Sequence, residues 1–236
     1  MYAFNKVAFI SLMAAVATLA LFFLAGKKRA LVPTGIQNLA EISVDFIREG
    51  IVAQTMGSKK EDVAWTGFLT ALFFFIIFTN VTGIIPVLQM PATARMGIPA
   101  MLAIISWFLF IFMGFKKNGI GYLKAALVPP GVPFALLFLV VPIEIISTFL
   151  VRPFSLAVRL FANMLAGHLL LVTFAVMGHG LFFAETKQLF FIPLSILPLV
   201  LFIAITVFEV LVVLLQAYIF TILTAVYIGG AMHPEH

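Results

Sequence analysis

The sequence has no cysteine, which excludes a disulfide framework and a thiolate metal site. Charge is nearly as scarce. Only 10% of the 236 residues are Asp, Glu, Lys or Arg, against about 25% in a soluble domain. A chain so short of charged groups does not make an ordinary globular surface. It also lacks a Gly-rich phosphate loop and the HExxH spacing of zinc hydrolases. No nucleotide site, catalytic site, metal or cofactor is therefore expected on it. The formal charge of +5 raises nucleic acid as a partner, but the basic residues lie where topology signals lie.

What fills the chain is apolar. Hydrophobic residues make up 64% and the mean hydropathy is +1.21, the composition of an integral membrane protein. Residues 7–26 form a run long enough to cross a ~30 Å hydrocarbon core at 1.5 Å per residue, and Lys27, Lys28 and Arg29 stop it. This run is too long, and too weakly cationic at its start, for a cleaved signal, so it reads as a retained first span. Over 34–56, Gln37, Glu41, Asp45, Arg48 and Glu49 recur opposite Leu39, Ile42, Phe46 and Ile47. That is the pattern of an amphipathic helix lying at the interface. Spans two and three are predicted at 64–88 and 98–115, and 116–133 reads as a loop with at most one surface turn.

Two longer apolar stretches follow, 134–177 and 187–229. As single helices each would reach about 65 Å, twice the hydrocarbon thickness. Two arrangements satisfy such a length. Each stretch is either two spans joined by a tight turn or one long helix, kinked and steeply tilted, the pair forming a hairpin. The first arrangement would place Arg152 and Arg159 in a loop, yet Phe154–Val158 lacks the Gly, Asn or Asp of a tight turn. The fold class predicted is all-α, with about five membrane-crossing helices and one interfacial helix.

Nine basic residues (Lys27, Lys28, Arg29, Arg48, Lys59, Lys60, Lys116, Lys117, Lys124) fall on one side of this scheme. Three (Lys6, Arg95, Lys187) fall on the other. The positive-inside rule then puts the amino terminus outside and the carboxyl terminus inside.

Polar residues inside the long stretches carry the functional signal. A guanidinium does not lose its proton in proteins, and at the centre of a membrane helix it costs about 2.5–3.5 kcal/mol even on the lenient scale. Arg152, Arg159, Asn163 and Ala166 fall within about 60° on a helix, forming one polar stripe. Small Ala162, Ala166 and Gly167 let another helix approach closely. His168 lies nearly opposite Arg159. On the second stretch Glu209 and Gln216 share a face, and Tyr227 continues their line. If the turn lies at 178–188, His168 and Glu209 stand 15 and 26 residues from it, so their contact needs a staggered hairpin. Taken singly, Asn163 and Gln216 also suit ordinary helix–helix hydrogen bonds, and Glu144 suits an interfacial carboxylate reaching water.

Two motifs, RPFSLAVRLFANMLAGHLLL at 152–171 and EVLVVLLQAYIFTILTAVY at 209–227, resemble subunit a of the F-type ATP synthase. Weaker similarity runs through Asn80–Pro86 and Pro142–Glu144. The resemblance implies the two long tilted helices and a role in proton translocation. It matches Arg159 to an essential arginine between two half-channels, and Asn163 and Gln216 to its polar neighbours. His168 and Glu209 match a proton-relay pair in the His-first order, and Glu144 an acidic residue near the inner exit. The partners it implies are an oligomeric ring of proteolipid subunit c, peripheral-stalk subunit b and the rest of the synthase. The setting it implies is a bacterial plasma membrane, or else the mitochondrial inner membrane. The competing classes are a secondary proton-coupled transporter, with Arg159 binding an anionic substrate, and a structural membrane scaffold. The first usually carries repeat symmetry, and no internal repeat is found. The second leaves the midplane charges unexplained.

Overall fold

A computed structural model describes residues 6–27, 35–57, 60–85, 91–128, 134–182 and 191–233. Lys28, Arg29, Lys59, Lys187 and the end of the second apolar stretch, 86–88, lie outside the described residues, as does the side chain of Lys124. Among the described residues every regular element is helical. The helices are α1 (Lys6–Lys27), α2 (Ile36–Ile47), α3 (Ala53–Thr55), α4 (Lys60–Val63), α5 (Thr66–Val81), α6 (Gly97–Asn118), α7 (Gly121–Leu127), α8 (Phe134–Ile146), α9 (Arg152–Phe182) and α10 (Phe191–Met232). Four segments are long and apolar enough to cross a membrane, namely Lys6–Lys27, Gly97–Asn118, Leu136–Phe182 and Ile196–Met232; Thr66–Val81 is a shorter apolar helix. This is the all-α membrane architecture that the apolar runs imply.

Many hydroxyls on these helices find a partner within their own helix, as hydrocarbon favours. Hydroxyls on apolar helices donate back to the carbonyl one turn earlier: Thr18 to Ala14, Thr70 to Thr66, Thr221 to Ala217 and Thr224 to Phe220, at 2.7–2.9 Å. Their outer faces are apolar and exposed, as at Leu12, Val16, Phe108, Ile203 and Val207. Lipid is the natural cover for such surface.

The bundle packs in two main layers. Near its middle, Leu72 and Ile76 of α5, Leu102 and Ala103 of α6, Leu156, Ala157 and Leu160 of α9, and Ala217 and Phe220 of α10 form one core. Toward one end, Ile47, Ile51, Val52, Leu69, Phe110, Tyr122 and Ile228 form another. That end is basic, because Lys60, Lys116 and Lys117 all lie at helix ends there. It is tied by Asn118, whose Nδ2 donates to the Ala231 carbonyl at 2.9 Å, and by His233 and Asp62, 3.0 Å apart. At the opposite end Val7 and Ile10 of α1 pack on Ala92 and Ile98, and the Thr93 hydroxyl donates to Asn80 Oδ1.

Three details differ from the sequence reading. The segment after the third apolar run is largely helical. α6 continues to Asn118, Gly119 ends it at φ 56, a backbone angle glycine tolerates without strain, and α7 follows at once. The segment over 36–55 and the one over 134–182 each contain a π-turn, at Arg48–Val52 and Ser147–Val151. The second has a visible cause in Pro153. A proline ring clashes with the carbonyl four residues back, here that of Phe149. The wider turn, in which the Arg152 N–H bonds to the Ser147 carbonyl, relieves that clash and lets α8 and α9 run on as one helix.

Candidate proton-pathway site

Four contacts fix how α9 lies against α10. The Arg152 guanidinium carbon sits 5.3 Å from the Tyr227 ring centroid. Asn163 Nδ2 donates to Gln216 Oε1 at 2.8 Å. The Glu209 carboxylate lies against Gly167, and Leu199 against Gly178. All four pairs share one antiparallel register, with its midpoint between Phe182 and Phe191. No stagger is needed, because α9 runs on through Gly178 to Phe182 and the hairpin axis lies later in the chain than a 178–188 turn implies. His168, next to Gly167, is thereby brought to the level of Glu209.

Arg159 projects from the edge of the central core. Leu156, Ala157 and Leu160 beside it are buried, and Arg159 itself is half-buried. Among the described residues it makes no hydrogen bond or ion pair. Asn163, one turn on, is exposed, as are the small residues Ala162 and Ala166. The result is a shallow polar strip with a free cation at one end and open to a large partner. Gln216 behind it is 1% exposed, and its Nε2 has no partner among the described residues.

Glu209 is 3% exposed, and its Oε2 is likewise buried without a partner. A Cβ built on Gly167 would stand 2.5 Å from Glu209 Oε1, so glycine at 167 is what makes room for this carboxylate. His168 is half-buried and forms no hydrogen bond with Glu209. Burying an unpaired carboxylate in an apolar helix is costly, and such a group takes a proton, a cation or water. Two orphaned polar groups, Glu209 Oε2 and Gln216 Nε2, therefore face one seam of the hairpin. No cluster of metal ligands occurs among the described residues.

Glu144 stands half-buried on α8, about 22 Å along the helix from Arg159. The π-turn at Ser147–Val151 adds one residue to a turn and so rotates α8 by about 100° relative to α9. This carries Glu144 to the side of the helix that bears Arg152 and Arg159. The sequence motifs do not by themselves single out the contact of Arg152 with Tyr227. Its signal lay in the helical faces, since Arg152 heads the Arg159 stripe and Tyr227 continues the Gln216 line. Thr148, whose buried hydroxyl also lacks a partner, gave no such signal.

A buried carboxylate and amide on one helix of a long apolar hairpin, with a free arginine on the other, accord with the resemblance drawn from the motifs. Residues 8–229 match the ATP synthase A chain family. The chain belongs to that family. Among its relatives, ATP synthase subunit a of Frankia alni is 44% identical over 98% of this chain and 79% of its own length. The subunit a of Rhodococcus erythropolis is 42% identical over 98% and 83%, and that of Maricaulis maris is 40% identical over 99% and 90%. As in the other members of the ATP synthase A chain family so matched, the similarity spans nearly the whole chain rather than the two motifs alone.

Proposed function

We propose that this chain is the proton-translocating stator subunit of an F-type ATP synthase, carrying two offset half-channels that serve a rotating ring of carboxyl-bearing proteolipids. Arg159 carries this reading, as a half-buried cation without an ion pair on a strip otherwise lined by Ala162, Asn163 and Ala166. Such a group requires an anion, and the open strip leaves room for a partner helix to bring one.

Protons enter at the end opposite the basic face, past Glu209 and His168 and along the seam where Asn163 meets Gln216. They neutralise a ring carboxylate, which then moves through lipid without the penalty of a buried charge. After nearly a full turn the site faces the inner half-channel and releases its proton toward Glu144 and the basic face. Arg159 stands between the two paths. It draws in the ionised carboxylate, favours its deprotonation on approach and repels a proton that would cross directly. Each proton supplies about 2.3 kcal/mol per 100 mV, and a leak past Arg159 would release it as heat.

The positive-inside rule directs the basic face to the cytoplasm of a bacterium and the amino terminus outward. The partners are the c ring on the Arg159 strip and subunit b of the peripheral stalk. No catalytic site is assigned to this chain.

Because the chain has no native cysteine, single cysteines report cleanly. Ala162→Cys is expected to form an oxidant-induced disulfide with a cysteine placed beside the ring carboxylate, blocking pumping until reduced. Cross-linking from Leu12→Cys on the outer face of α1, and none from Ala162→Cys, would refute the docking.

A further inference from the structure

One cation inside the hairpin has no part in the pathway so far. Arg152 lies about two turns from Arg159 toward the basic face, half-buried, with its guanidinium over the Tyr227 ring at 5.3 Å. That separation is within the range of a cation–π contact. The ring is itself held by Phe110, 5.9 Å away. Across from it, Tyr122 of α7 is 4% exposed and lodged beneath Gly114, where a Cβ would come within 2.6 Å of its ring. Burial pushes the Tyr122 phenol up from its ordinary value, and the Arg152 charge pulls it back.

The surroundings are polar enough to admit water. Thr148 Oγ1 on the π-turn and Trp107 Nε1 on α6 are both buried without a partner among the described residues. The Trp107 ring meets Phe149 at 6.2 Å. Buried polar groups nearly always find a partner, and where the protein offers none water supplies it. The charged and titratable groups around Arg152 are Glu144 and Arg159 on its own helical line, Tyr227 on α10 and Tyr122 on α7. Lys116 and Lys117 follow at the exposed end of α6, and His233 sits beyond, against Asp62.

We propose that Arg152 is a second fixed cation of the inner half-channel, held in place by Tyr227, whose charge keeps the ring carboxyl ionised once it faces the basic end. The inference rests on the pathway above. Arg152 is a positioning residue that acts on the carboxyl through its field. The carboxyl O–H bond breaks, its proton passes to water, and the carboxylate is favoured by the nearby positive charge. At a separation of about 10 Å and an effective dielectric near 20, this amounts to a shift of roughly one pH unit in the carboxyl's titration. During synthesis the shift aids release. During ATP-driven pumping it opposes uptake from the same side, so pumping falls off at lower pH on that side than it would without Arg152.

The test is ATP-driven pumping by the whole synthase in inverted vesicles, with the pH of the medium scanned. Arg152→Gln should move the high-pH limb up by about one unit. Arg152→Lys should leave it in place. Tyr227→Phe should behave as the parent, whereas Tyr227→Leu should move the limb in the same direction as Arg152→Gln. An unmoved limb in assembled Arg152→Gln enzyme overturns the proposal, as does an equal shift in Arg152→Lys. Should Arg152→Gln fail to assemble, Tyr227→Leu decides alone. Survival of synthesis in Arg159→Ala would strike the whole pathway. Its loss together with an unmoved Arg152→Gln limb would strike only this inference.

Discussion

Glu209 occupies the space that a side chain at residue 167 would fill: its Oε1 is 2.5 Å and its Cδ 3.1 Å from a Cβ built on Gly167. The two helices of the hairpin are therefore in register at the carboxylate that the proposed inlet requires. The fit is tight on the Gly167 side, while Oε2 faces the seam without a partner.

This contact separates two glycines by the kind of damage their replacement does. Gly167→Ala presses on the far end of a flexible side chain, which can swing aside, so folding should change by less than about 1 kcal/mol. Proton-driven turnover should fall several-fold because the carboxylate is displaced. Gly229→Ala presses on backbone instead, with a Cβ 2.7 Å from the Thr55 carbonyl oxygen. It should lower thermal stability and assembly. Thermal unfolding of the detergent-solubilised subunit, set beside ATP synthesis, checks both. Equal effects of the two substitutions on stability would count against the account.

Glu209→Gln keeps the size of the side chain and removes its ability to exchange a proton. Turnover driven from the side opposite the basic face should drop, and its dependence on that side's pH should flatten. Measuring synthesis against pH on that side, with the other side held fixed, gives the answer. A profile identical to the parent's would remove Glu209 from the pathway.

At the basic end, His233 Nε2 and Asp62 Oδ1 stand 3.0 Å apart, with the Asp62 side chain 1% exposed and His233 about a third exposed. The pair ties the last turn of α10 to α4. Asp62→Ala should destabilise the subunit by about 1 kcal/mol and fray the end of α10, leaving the proton path near Arg159 working. Amide exchange at 229–233 should speed up. Unchanged exchange there would mean that the Asn118 bond to Ala231 and the packing on Met56 suffice.

Much of this architecture can be read from the chain, and the reasons differ by element. The apolar runs report directly on helices in lipid, because composition and length leave few alternatives. The polar stripe of Arg159 and Asn163 follows from the helical period. The register of the hairpin does not. Gly178, His179 and Gly180 look like turn residues, yet α9 passes through them, and Gly178 is small because Leu199 packs on it with a Cβ distance of 3.3 Å. A glycine chosen for close approach reads in sequence like one chosen for a turn. The π-turn before Pro153 is equally hidden, although it decides which way Glu144 faces. The helix over Gly121–Leu127 is masked by the glycines and lysines that precede it. It is held by Tyr122 packing on Phe115, at 5.6 Å between ring centroids, rather than by helical propensity.

The most direct test concerns Arg159. Inverted vesicles carrying the assembled synthase with Arg159→Ala are energised by a proton gradient, and ATP formation is measured. Loss of synthesis is predicted, with the ring and stalk still co-purifying. Arg159→Lys should fail as well, since a lysine can shed its proton in a desolvated site and lacks the planar fork of donors. Synthesis near the parent rate in Arg159→Ala would contradict the assignment of this residue as the gate between two proton paths.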